Sequence, residues 1–196
     1  MKTSKWVQNL LNWVKKCNLG LLGSVIALLV LSIFYFPAAT GMYPERGIPL
    51  DELLNRGEAR ISSRVLQKEL GMDAELADQV AGSVVRYARA SNIPWELVVA
   101  VIKVESAGYP QAVSPRGAKG LMQVMPFWTT ELGADPRAIF EPETNVWMGI
   151  SILKHYLQRY KALDVALAAY NGSLGSPEYP EKVLKTYRQL ISYQLN

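Results

Sequence analysis

The 196-residue sequence has a single cysteine, Cys17, and a single histidine, His155. One cysteine excludes any disulfide within the chain. One histidine, set apart from cysteine and acid clusters, supplies neither a metal site nor a catalytic triad. Strand signals are missing too. No segment alternates apolar and polar residues between turn dipeptides, and no glycine-rich phosphate loop occurs. Acidic residues are absent before residue 40, where four of the 21 basic residues lie. The remainder of the chain is therefore formally neutral. No basic stripe is interleaved with aromatics, so the composition gives no nucleic-acid footprint.

What is abundant is apolar: 49% of residues are hydrophobic and the mean hydropathy is slightly positive. Much of this comes from Leu19 to Phe36, an unbroken run of apolar and small residues about long enough to span a bilayer when tilted. Lys2, Lys5, Lys15 and Lys16 precede it. The positive-inside bias then predicts a basic cytoplasmic leader over 1–18, a single-pass anchor over 19–36 in the inner membrane, and everything beyond in the periplasm. Cleavage near Pro37-Ala38-Ala39, releasing a periplasmic protein, is the alternative. Cys17 lies before the run, which excludes a lipoprotein.

Beyond the run, 37–80 reads as a linker and accessory helices, and 81–196 as the main domain. Leu50 to Leu70 reads as a helix ending at Gly71. Asp73 caps a second from Ala74 to Ala90, and Pro142 to Tyr160 is the longest clear helix. Asp164 caps a short apolar helix, Val165 to Ala169. The fold class is all-α, with at most a small β excursion.

One buried helix dominates. Pro94 suits a first turn, with Asn92 upstream as cap, and Gly108 and Pro110 end it. Leu97 to Val104 is apolar on nearly every face, which predicts a helix surrounded by protein. Glu105 closes that run. Burial and the negative end of the helix dipole both disfavour its charged form, so its pKa should rise toward that of a general acid. The alternative is a satisfied helix-end carboxylate paired with Lys103 or Arg116.

Three short motifs follow one another: Glu105-Ser106; Gly120-Leu121-Met122-Gln123 with Met125-Pro126; and Ala169-Tyr170-Asn171-Gly172. In this order they resemble the signature of the lytic transglycosylases of the soluble (SLT) type, which share the fold of goose-type lysozyme. The resemblance covers about Val84 to Leu190. It implies a lysozyme-like fold that cleaves the β-1,4 bond between N-acetylmuramic acid and N-acetylglucosamine and leaves 1,6-anhydromuramoyl ends. It implies no cofactor and no metal, with peptidoglycan glycan strands as the partner. Glu105 is the implied catalytic acid and base. Gln123, Tyr170, Asn171 and Tyr179 would position the sugars. Met122 would wall the cleft or serve as core, Ser114 would reach the carboxylate or act as a turn residue, and the backbone at Gly120 would approach the glycan. Gly172 to Pro177 is shorter than the usual insertion, and the late tyrosine is Tyr179 or Tyr187, with Tyr179 the better match. Three alternatives stay open: a hydrolytic muramidase, a non-catalytic glycan-binding module, and a wall-opening factor of an envelope-spanning assembly.

Overall fold

In the computed structural model, which describes residues 50–192, the helix-period stretches form seven α-helices and one 3-10 turn, with no strand among these residues. The expected leader, the apolar run 19–36 and the linker up to residue 49 lie outside the described residues. Among the described residues, no helix is long and apolar enough to cross a membrane.

Helix α1, Leu50–Leu70, and helix α2, Ala74–Ser91, end and begin where glycine and a cap direct them. The Asp73 carboxylate accepts the Leu76 N–H at 2.9 Å, satisfying one of the donors a helix start leaves unpaired. Asn92 departs from the expectation. It caps the C-terminus of α2 in a left-handed conformation, φ 55°, instead of opening the next helix. That helix, α3, runs Trp95–Ser106 with Pro94 one residue before it, and Ala107 at φ 52° turns the chain out ahead of Gly108.

The all-round apolar sequence of α3 is met by all-round burial. Val98 through Ile102 have no exposed surface. Each fully buried aliphatic side chain of this kind contributes about 1.5–3 kcal/mol. Helix α3 packs against α1, α2 and α7, so the site at its C-terminus rests on a packed base.

Helix α4, Phe127–Glu131, is short. A 3-10 turn, Pro136–Phe140, leads into α5, Pro142–Tyr160, with the expected bounds. Helix α6 spans Leu163–Asn171 and is capped by Ala162, not by Asp164. The Asp164 carboxylate instead accepts the Val165 N–H within the first turn, at 2.9 Å. Helix α7, Glu178–Ser192, closes the fold against α3 and α6. The β excursion is two isolated bridges, Val113 with Lys119 and Lys119 with Val124. The boundary expected between residues 80 and 81 falls inside α2, and Leu66 of α1 and Val80 and Val84 of α2 share one core with α3.

Candidate active site

Three elements converge on Glu105. The first is its own helix, which presents the carboxylate in the last turn of α3. Ser106, the next residue, is buried and donates its hydroxyl to the Leu121 carbonyl at 2.8 Å, pinning the helix end to the second motif. The second element is α7, whose Tyr179 hydroxyl donates to Glu105 Oε1 at 2.7 Å. The third is the end of α6, where the Asn171 side chain also hydrogen-bonds the carboxylate.

These surroundings pull in opposite directions. Burial raises the Glu105 pKa above its ordinary value and is the larger effect. The hydrogen bonds from Tyr179 and Asn171 favour the charged form and lower it. Neither cation named as an alternative partner is used. Lys103 donates to Glu69 Oε2 at 2.8 Å, and Arg116 is exposed. The Tyr179 and Tyr170 hydroxyls have pKa values pushed well above the ordinary tyrosine value, by burial first and then by the Glu105 charge. Both therefore stay protonated as donors.

Glu105 opens onto a cavity of about 320 Å³ lined by Val104, Asn171, Ser173, Ser176, Glu178, Tyr179 and Lys182. A larger hollow, about 420 Å³, lies beside Arg89 and Trp95 and contains no residue of the three motifs. Glu178, Lys182, Ser173 and Ser176 had no place in the sequence reading. They lie within ten residues of Tyr179, and their position on the cavity follows once Tyr179 is docked on Glu105.

The second motif is a tight turn. Lys119 and Val124 exchange backbone hydrogen bonds at 3.0 and 2.9 Å, with Gly120 at φ 78° and Gln123 at φ 49° between them. Gln123 Nε2 donates to the carbonyls of Gly120 and Ala112, at 2.9 and 3.2 Å, and stiffens the turn from inside. Tyr170 donates its hydroxyl to the Met122 carbonyl at 2.7 Å, so it holds the turn.

Met122 has no exposed surface; it is core and forms no wall of the cleft. A side chain added at Gly149 would collide with its sulfur, so α5 packs directly onto it. The close approach at Gly120 is made by Asn145, whose side-chain amide would collide with an added Cβ. Ser114 is a turn residue. Its hydroxyl accepts the Ala118 N–H at 3.0 Å, and nothing joins it to Glu105. Tyr187 does not line the Glu105 cavity.

Asn145 is the residue the sequence did not single out. Fully buried in the first turn of α5, it donates to the carbonyls of Ile139 and Lys119 at 2.7 and 2.9 Å and accepts the Met122 N–H at 2.8 Å. The available signal was a polar residue on the apolar stripe of α5, but its partners lie far off in sequence. Trp128 packs at the core edge, with ring contacts to His155 and Tyr156, whereas Phe127 is exposed and lies outside the Glu105 cavity. His155 is exposed. No group of three metal-ligating side chains occurs among the described residues.

Comparison with known proteins gives the same region. The profile of the transglycosylase SLT domain family matches residues 83–187. A transglycosylase of Enterobacteria phage PRD1 is 35% identical over 107 residues, 51% of this chain and 40% of that protein. The soluble lytic murein transglycosylase of Salmonella typhimurium is 36% identical over 99 residues, 46% of this chain and 15% of that protein. The chain thus spans less than half the length of these relatives. The crystal structure of the 70 kDa soluble lytic transglycosylase of Escherichia coli superposes with a TM-score of 0.52 at 22% identity, covering 69% of this chain and 30% of that one, a likeness of fold.

Proposed function

We propose, from the premise that this chain belongs to the transglycosylase SLT domain family, that it is a peptidoglycan lytic transglycosylase with Glu105 as its acid and base. The observation that carries this reading is the half-buried Glu105 carboxylate, with a raised pKa, set on a polar cavity and held by Tyr179 and Asn171. A carboxyl group that keeps its proton near neutral pH can donate it to the glycosidic oxygen as the bond to muramoyl C1 breaks. Glu105 is then an anion, and the Tyr179 and Asn171 donors support it in that form. The anion takes the proton of the muramoyl C6 hydroxyl as O6 closes onto C1. The bond lost is C1 to the leaving oxygen and the bond gained is C1 to O6. The proton count at Glu105 is restored and no water is consumed.

Tyr170, Gln123 and Ser106 act behind the site in this scheme, by fixing the turn that flanks Glu105. The apolar run 19–36, behind four lysines and no acid, supports a single-pass inner-membrane anchor that keeps the enzyme on the periplasmic side, next to the wall.

One observation favours a hydrolytic muramidase instead. Glu178 lines the same cavity, and inverting hydrolysis uses a second carboxylate to activate water. Two substitutions separate the readings. Glu105→Gln should cost roughly two to four orders of magnitude in turnover of sacculi. Glu178→Gln should leave turnover within a few-fold of wild type. A Glu178→Gln enzyme as inactive as Glu105→Gln would replace the transglycosylase with a two-carboxylate hydrolase.

A further inference from the structure

Lys182 is the one cation among the residues lining the Glu105 cavity. It stands one turn after Glu178 on α7, and the two side chains form no ion pair. The one side-chain hydrogen bond involving this residue is accepted by its carbonyl, from the Thr186 hydroxyl at 3.0 Å, and leaves the ammonium unused. Nor does the ammonium serve the catalytic carboxylate: what shifts Glu105 is burial, Tyr179 and Asn171. The cavity thus carries an unspent positive charge, in company with the hydroxyls of Ser173 and Ser176.

We propose that Lys182 is a specificity-determining residue that holds a carboxylate of the peptide borne by the muramoyl sugar; this rests on the transglycosylase reading. The chemistry of that substrate narrows the choice. The glycan itself is neutral, because its amino groups are acetylated and the lactyl acid of the muramoyl unit is consumed in the amide bond to the peptide. The fixed negative charges are the carboxylates of the peptide. Of the other titratable groups on the cavity wall, Glu105 and Glu178 repel an anion or are neutral to it and Tyr179 stays an uncharged phenol, so Lys182 alone offers a positive charge. A lysine on a flexible stem also suits a peptide carboxylate whose position varies, where a fixed fork would not.

The test compares kcat/KM on two probes: peptide-bearing glycan strands from sacculi, and the same strands after an amidase has removed the peptides and the lactyl carboxylates so freed have been capped as methylamides. Wild type should prefer the peptide-bearing strands. Lys182→Gln should lower the ratio of the two values by about five- to tenfold, the scale of one charge-assisted contact at a partly solvated site. Lys182→Glu should lower it further and Lys182→Arg should restore it. Added salt should reduce the ratio for wild type and leave that of Lys182→Gln unchanged. A ratio that Lys182→Gln does not alter, or equal losses on both probes, overturns the assignment of Lys182 while leaving the transglycosylase reading intact. Wild type that cuts neither probe overturns that reading and this inference with it.

Discussion

At the scale of single residues, the site turns on one carboxylate whose two protonation states are both supported. Burial raises the Glu105 pKa, while Tyr179 and Asn171 lower it. Tyr179→Phe removes the larger of the two lowering effects, so the pKa of Glu105 should rise further. A general acid is active when protonated, so the fall of activity at high pH should move to higher pH in Tyr179→Phe, and turnover should drop because the anion loses a donor. An unmoved or downward-moved alkaline limb would show that Tyr179 acts on the substrate instead. The same shift acts on stability. A carboxyl with a folded pKa above its unfolded value contributes most below the unfolded value and loses that contribution as pH rises through the folded one. Glu105→Gln should accordingly melt above wild type at pH 8, with the gap closing by pH 4. Glu105 and Tyr179 could be matched by motif, although 74 residues separate them. The opposing effects could not, since burial and a docked tyrosine are properties of the assembled site.

At the scale of elements, the α3 end, the 119–124 turn and α5 are locked by side chains buried between them. Asn145 spans 23 residues to Met122 and 26 to Lys119. Asn145→Ala leaves the Met122 N–H and the Ile139 carbonyl unpaired in the core, while the Lys119 carbonyl keeps the Val124 N–H; each buried unpaired group costs about 1–3 kcal/mol. Denaturant unfolding should show a loss of several kcal/mol; a loss below about 1 kcal/mol would mean water or backbone movement replaces those bonds. Gly120→Ala should be comparably damaging, because the backbone is at φ 78° and the new methyl collides with Asn145. Helix bounds were largely legible in the sequence. Gly71 ends α1, Asp73 opens α2 and Pro142 opens α5, all by local rules. What was not legible is pairing at a distance. Met122 sits in the family's motif, so its burial beneath Gly149 could not be read from the motif itself. Asn92 satisfies cap preferences at either side of a three-residue junction, and only the left-handed backbone shows which helix it serves.

At the scale of the whole molecule, an apolar helix is enclosed by α1, α2 and α7, and one end of it is left facing a polar cavity. The core fixes the carboxylate, and the cavity wall of α6 and α7 sets what reaches it. The proposed anchor would hold this body beside its insoluble substrate. Full-length mass in the membrane fraction is the expected result; a soluble protein starting near residue 40 would refute the anchor and leave the export in place. The central claim, that a single carboxylate closes the muramoyl C6 hydroxyl onto C1, is tested most directly by digesting purified sacculi in ¹⁸O-labelled water and weighing the released ends. The account predicts 1,6-anhydromuramoyl ends without label. Reducing muramoyl ends carrying ¹⁸O would contradict it.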